Sequence, residues 1–492
     1  MAFSLGTRLI AFLFKVYLSR SVGAEALGLF SMGLAMFNLI TMIPSSGIPL
    51  TVSRRVAEYD ALGKQKSGFG TVTAGLILTV VVNLATVGLF VLFRTPLLGL
   101  FADARAEKIV LIMLPATVTT CLYNVLRAYF MGKRRYVLYS VTELVEEILN
   151  VVAVVLLLSG VFAISTGAES LAIAFTVCDA IVFVLIVILY FATKGRLSKP
   201  YAPVQLVKNS TPITLMRLFT SLAATLTAIL LPNRLVDYGM APEAATALFG
   251  SAVGMGFPLL FAPLAATSAL SVVLLPEVAQ LSAKGKTDLI ASKTDKATWF
   301  ILLITLYCFV IFATLGREIG EIVFADSQAG TFVAFSAGMV IPMCLSQLTN
   351  TTLNSLGKEG RCFAHSMVGL GAMAACLYFL PRWLGVYSLG VAQTAFFLIS
   401  FLLNAFSLVK LGAFRFTHAK GLCWMVLGTV AIGVVTLGMR YWLAGTGMWA
   451  VTLFAGGLAT LLYALLLVVT RSVDVTIIRS FVFRKKIRNT RQ

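Results

Sequence analysis

Four basic side chains sit inside apolar stretches of this chain: Arg8, Lys15, Arg127 and Arg217. An ionisable group at membrane depth costs at least about 2.5–3.5 kcal/mol on insertion scales, so each needs a partner, a ligand or water. Arg8 and Lys15 are seven residues apart, two helical turns, and share one helix face. If the two halves of the chain face each other, Arg8, Lys15 and Arg217 can line one cleft. Three cations there suit a diphosphate or another strongly anionic group, because arginine forks onto phosphate oxygens; Arg127 is a secondary candidate. The competing reading is a Lys15 that snorkels to the interface and an Arg217 that only marks a helix entrance. The acidic counterparts are Glu143, Glu146, Glu147 and Asp179. Glu143 stands three and four residues from the other two, which gathers three carboxylates on one face. Glu143, Glu147 and Asp179 could serve as a proton or cation site for coupling. The favoured reading is blander: an internal partner for Arg127, or a wet cytoplasmic helix end next to Lys133–Arg135.

The elements that must hold these groups are membrane helices. The 492 residues are 59% hydrophobic and 12% charged, against about 45–50% and about 25% in ordinary soluble domains. Mean hydropathy is +0.94. With about 20 apolar residues needed per crossing, the chain divides into fourteen spans. The first seven are 2–18, 27–52, 69–93, 109–131, 137–162, 171–193 and 213–231. The second seven are 244–275, 297–315, 330–356, 362–380, 386–411, 422–439 and 448–470. The first is short for a crossing, which suggests a chain that starts inside its first helix. Connecting segments of roughly twenty residues or fewer leave no room for a soluble domain.

Loop charge orients the bundle. Twenty-seven Lys and Arg fall in loops after even-numbered spans or in the tail, against eight on the opposite side, which places both termini in the cytoplasm. A weak repeat relates the halves: 56–64 resembles 278–286, and Gly132-Lys133 after span 4 matches Gly357-Lys358 after span 10. Offsets of 222 and 225 residues suggest a six-helix unit used twice in the same orientation, as in parallel-repeat transporters. The expected organisation is an N-lobe over 1–193, a cytoplasmic linker over 194–210 and a C-lobe over 211–411. Helices 13 and 14 follow over 412–470, with a basic cytoplasmic tail over 471–492. Pro44, Gly47, Pro49, Gly256 and Pro258 interrupt spans 2 and 8 and are hinge candidates for alternating access, or places of close packing.

Other chemistries are poorly supported. The +19 charge is dispersed between apolar runs, which argues against nucleic acid. The seven cysteines form no C-x-x-C pair, and the P-loop, zincin and nucleophile-elbow motifs are missing, so no metal, cofactor or catalytic residue is expected. Without an ATP site, transport would draw on an ion gradient, the membrane potential or the substrate gradient.

Several stretches carry a family resemblance. They are Arg20–Phe30; Ser45-Ser46-Gly47-Ile48-Pro49 continuing to Glu58; Leu126-Arg127-Ala128-Tyr129-Phe130-Met131-Gly132 followed by Glu143-Leu144-Val145-Glu146-Glu147; and Leu231-Pro232-Asn233-Arg234-Leu235 leading to Gly254–Leu260 and Leu275–Ala279. Together, over about residues 5–410, they resemble the stage V sporulation protein B branch of the multidrug/oligosaccharidyl-lipid/polysaccharide exporter superfamily. The resemblance implies an all-α membrane protein of about fourteen transmembrane helices, with two pseudo-symmetric six-helix lobes plus two C-terminal helices. It also implies a flippase of the bacterial cytoplasmic membrane that moves an undecaprenyl-diphosphate-linked saccharide or peptidoglycan precursor. Membrane lipids and cell-wall synthesis proteins would be its partners, and sporulation its setting. Basic residues on helix 1 line the cavity in related lipid II flippases, and Arg8 and Lys15 fall at matching positions. Those relatives carry further basic residues on helices 2 and 8 and a sodium-site acid on helix 11. Here span 2 reads Thr41-Met42, span 8 lacks a basic residue, and Cys362–Leu380 holds no Asp or Glu. The rivals are a multidrug cation exporter of the same superfamily, which would want an acidic cleft, and a non-transporting scaffold or transferase using the Glu143 group with a metal.

Overall fold

The computed structural model describes residues 2–158, 167–415, 417, 419–443 and 445–470. The basic tail predicted over 471–492 and the side chain of Arg8 lie outside the described residues. Every regular element among the described residues is helical, as a bilayer demands of an open chain that must satisfy its own backbone polar groups. In order, the first helices are α1 (Ala2–Ser45), α2 (Gly47–Ala61), α3 (Gln65–Leu92), α4 (Arg94–Leu98), α5 (Arg105–Met113), α6 (Ala116–Gly132), α7 (Tyr136–Leu158), α8 (Gly167–Ala192), α9 (Pro203–Asp237) and α10 (Pro242–Phe249). A π-helical segment over Gly250–Gly256 leads to α11 (Phe257–Leu260) and α12 (Leu264–Ala283). There follow α13 (Thr287–Phe324), α14 (Ser327–Ser336), α15 (Val340–Ser355), α16 (Glu359–Phe379), α17 (Pro381–Leu384), α18 (Ser388–Lys410), α19 (Ala419–Trp442) and α20 (Met448–Val469).

Among the described residues, eleven helical segments are long and apolar enough to cross a membrane, or twelve if the bent pair α5–α6 is one span. The number differs from the expected fourteen for local reasons. Spans 1 and 2 run together, because the chain stays helical through the expected connection and breaks only at Gly23 (φ 77°, ψ 177°). That backbone conformation is open essentially to glycine alone. Span 8 divides in two, with a turn at 261–263 between α11 and α12. Helix α7 carries Glu143, Glu146 and Glu147, too much charge for such a crossing, and α9, the counterpart of span 7, is likewise not among the eleven.

Packing divides the chain into two compact units, one over 1–258 with 374–389, the other over 259–373 with 390–492. In the first unit, α1 lies against α10 and the π-helical segment at backbone distance. A Cβ on Gly28 would collide with the Thr246 carbonyl oxygen, and one on Gly250 with that of Ala24. Small residues permit such approaches in membranes, where dispersion contacts replace the hydrophobic effect between helices. The π-helical turn has an adjacent cause: Pro258 has no N–H to give to the preceding turn, and Gly256 precedes it at the segment's end. At the other break, Ser46 separates α1 from α2, Pro44 lies in the last turn of α1, and Pro49 occupies the first turn of α2, where no N–H is required. Gly47 abuts the Ser210 carbonyl of α9.

A charged knot closes one end of this unit. Asp103 is buried and accepts hydrogen bonds from the Arg105 N–H (3.0 Å), its Nε (3.0 Å) and Nη2 (2.7 Å), and from Thr246 Oγ1 (3.2 Å). Arg105 also pairs with Glu25 of α1 at 2.7 Å. Burial pushes the Asp103 carboxyl upward, but the Arg105 and Thr246 bonds outweigh it and hold the group below its ordinary value.

In the second unit, a polar cluster ties α15, α16 and α18 together. His365 Nδ1 lies 2.8 Å from Asn404 Oδ1, and Asn404 Nδ2 donates to Asn350 Oδ1 at 2.6 Å. Because a carboxamide oxygen only accepts, Nδ1 must carry the proton, which leaves Nε2 facing Ser407 Oγ at 3.4 Å.

Two outcomes are expected. Gly250→Val should overpack the α1 contact and cost about 1–3 kcal/mol, lowering the thermal unfolding midpoint in detergent; an unchanged midpoint would refute the close approach. Because the native carboxyl of Asp103 lies below its unfolded value, its contribution is complete above about pH 4–5. The contribution fades as pH falls through the native value. Asp103→Asn should therefore flatten the acid limb of the stability profile, and parallel wild-type and variant limbs would contradict this.

Candidate functional site

The first unit holds a cavity of about 380 Å³, bounded by α1, α2, α6, α7 and α9. Both Arg127 and Arg217 line it, together with Ser45, Ser46, Ser53, Asn124 and Tyr139. Among the described residues, no Asp or Glu lines it. Asn124 Nδ2 donates to Ser45 Oγ at 3.0 Å, which holds α6 against the end of α1. Two polar atoms of the lining residues are buried without a hydrogen-bond partner among the described residues: Ser46 Oγ and Arg127 Nε. Buried polar groups normally find partners, and these two have none among the described residues.

Helix periodicity explains how Arg127 is held. Tyr123, Asn124 and Arg127 fall at i, i+1 and i+4 of α6 and bring their side chains to neighbouring faces. Arg127 Nη2 binds Glu146 Oε2 of α7 at 2.6 Å, and the Tyr123 hydroxyl donates to Glu146 Oε1 at 2.9 Å. The guanidinium also lies over the Tyr123 ring at 5.0 Å and the Tyr139 ring at 5.9 Å. This arrangement fixes the charge and its plane.

The other acids stand behind the cavity. Tyr139 is hydrogen-bonded to Glu143. Glu147 faces Lys15 within electrostatic reach. Asp179 on α8 is buried, accepts from Thr120 Oγ1, and lies in the fields of Glu146 and Arg127. The four bases read from sequence therefore separate. Arg127 and Arg217 meet at one cavity. Lys15 is exposed on α1, faces Glu147, and is not among the cavity-lining residues. Arg8 lies on α1, with its side chain outside the described residues. The hinge candidates Pro44, Gly47 and Pro49 flank the cavity, with Pro49 in its wall; Gly256 and Pro258 belong to the π-helical break. Sequence reasoning missed Tyr123, Asn124, Tyr139 and the three serines. The i, i+3 and i+4 neighbours of Arg127 offered a signal for the first two, whereas the serines gave none.

The family described as polysaccharide biosynthesis protein matches residues 1–276. Stage V sporulation protein B of Bacillus subtilis (strain 168) is 24% identical over 421 residues, 82% of this chain and 81% of that protein. In structure, the chain is similar to the lipid II flippase MurJ in an inward closed conformation, with a TM-score of 0.72 and 12% identity, over 98% of this chain and 99% of that one. A multidrug resistance MATE family transporter of the MOP superfamily, inward-facing, gives 0.65 at 12% identity over 82% and 95%. A MOP superfamily transporter from Pyrococcus furiosus, noted for the reverse polarity of its binding pocket, gives 0.56 at 14% identity over 83% and 94%. These likenesses establish the fold.

Removing one partner of a buried ion pair costs about 3–5 kcal/mol, whereas replacing both by apolar residues is often neutral. Glu146→Ala should therefore destabilise the protein by about 3 kcal/mol, and adding Arg127→Met to it should recover most of the loss. Unfolding measurements on the two singles and the double check this; strict additivity would show that the pair is uncoupled.

Proposed function

Because this chain belongs to the polysaccharide biosynthesis protein family, we propose that it is a flippase that moves an anionic lipid-linked saccharide, an undecaprenyl-diphosphate conjugate or peptidoglycan precursor, across the bacterial cytoplasmic membrane. The observation that carries this reading is the polarity of the cavity: two guanidiniums line it, and no carboxylate does among the described residues. A diphosphate could take donors from Arg217 and from the unused Nε of Arg127 while its polyprenyl tail stays in lipid. Arg8 and Lys15, on the helix that packs beside this cavity, are the further cations of the proposed path. The likeness to flippase and exporter folds supports transport rather than covalent chemistry.

In this reading two six-helix lobes, 1–193 and 211–411, rock about the breaks at Pro44–Pro49 and Gly256–Pro258, with the 194–210 segment between them, helices 13 and 14 after them, and both termini in the cytoplasm. The coupling ion would be held by the acids behind the cavity. Asp179, buried on α8 and bound by Thr120 Oγ1, is the first candidate among them. Glu143 is engaged by Tyr139, and Glu147 by Lys15. The cation-exporter alternative loses support because the acids lie outside the cavity wall.

Arg217 lines the cavity and is exposed, so its replacement should cost folding less than it costs binding. In vesicles carrying a fluorescent lipid-linked diphosphate saccharide, Arg217→Ala should slow translocation about tenfold or more, the worth of one charge-assisted contact. Arg217→Lys should keep an intermediate rate. Wild-type rates in the alanine variant would overturn the assignment.

A further inference from the structure

Another cavity, of about 580 Å³, lies in the second unit between α13, α19 and α20. Its wall carries Arg317, Glu318, Glu321 and Arg440. Arg440 is committed: its Nε binds Glu318 Oε1 at 2.7 Å and its Nη1 the Thr314 carbonyl at 3.1 Å. Three groups remain. Glu318 Oε2 is buried and has no hydrogen-bond partner among the described residues. Arg317 and Glu321, one turn apart on the same face of α13, make no ion pair among the described residues. Leaving a carboxylate oxygen buried and unpaired is costly, of the order of 1–3 kcal/mol. A donor belongs there.

We infer that this cavity holds the headgroup of a zwitterionic aminophospholipid, its primary ammonium on Glu318 Oε2 and Glu321 and its phosphate on Arg317. The charges sum to zero, two guanidiniums against two carboxylates, which favours a zwitterion over an anionic or a cationic guest. The ammonium must carry N–H donors, because the orphaned oxygen needs a hydrogen bond. A trimethylated choline headgroup cannot supply one. The surroundings place the cavity at headgroup depth: Tyr441 and Trp442, at the end of α19, are 86% and 80% exposed, as aromatic residues at a membrane interface are. The exposed apolar faces of α19 and α20, Val434 and Leu453 among them, offer the surface along which acyl chains would run. This site is independent of the cavity at Arg127 and Arg217, and stands or falls without it.

The test exchanges purified full-length protein into nanodiscs of equal phosphatidylethanolamine, phosphatidylcholine and phosphatidylglycerol, and identifies the retained lipids by native mass spectrometry. Wild type should retain phosphatidylethanolamine about tenfold over phosphatidylcholine. Glu318→Gln and Arg317→Ala should each abolish the preference. Arg317 is exposed and outside any ion pair described, so its variant keeps the test valid if Glu318→Gln folds poorly. Equal retention of the two lipids by wild type, or a preference that survives in Arg317→Ala, would overturn the inference.

Discussion

The bond between Arg127 and Glu146, 2.6 Å long and formed inside a bundle of apolar helices, is the interaction on which the site depends. A bilayer offers neither charge a shell of water, so the two must find each other during assembly. Their meeting fixes α6 against α7. It also holds the guanidinium at the cavity wall, with Nη2 on Glu146. Without that partner, a fixed cation beside Arg217 would be too costly to keep.

The same constraint sorts the remaining charges. Carboxylates that faced the cavity would neutralise its cations and remove its selectivity. Glu143, Glu147 and Asp179 are instead engaged by Tyr139, Lys15 and Thr120. Charge is thereby layered: cations at the wall, acids one step behind. Under the proposed transport of an anionic lipid, such layering would let the acids temper the attraction of the cations for the cargo. In the second unit, Glu318 Oε2 has no hydrogen-bond partner among the described residues.

Backbone irregularity is placed with equal economy. Gly23, Ser46 and the π-helical turn at Gly250–Gly256 interrupt what would otherwise be straight membrane helices. Each sits beside a glycine or proline, and the Ser46 break opens directly on the cationic cavity. Helices broken next to a binding cavity can bend without rupturing a lipid-facing hydrogen-bond ladder. The Gly28 and Gly250 contacts pull in the other direction, holding α1 firmly against α10 and the π-helical segment.

Sequence by itself determined the class of molecule: apolar runs of membrane length, basic loops and the absence of a soluble domain leave only a helical membrane protein. It also determined which bases and acids had to be explained, since a charge in an apolar run is conspicuous at any position. It could not determine span limits where helices run on through Gly23 or where α7 carries three carboxylates, because hydropathy averages over side chains and ignores backbone continuity. Nor could it assign partners. That Arg217 would join Arg127 while Lys15 turned to Glu147 depends on how helices far apart in the chain rotate about their axes. Packing of small residues sets that rotation, and no single helix encodes it. Tertiary structure alone decided which charges face the cavity, for the physical reason that a side chain's neighbours across a bundle are fixed by the docking of whole helices.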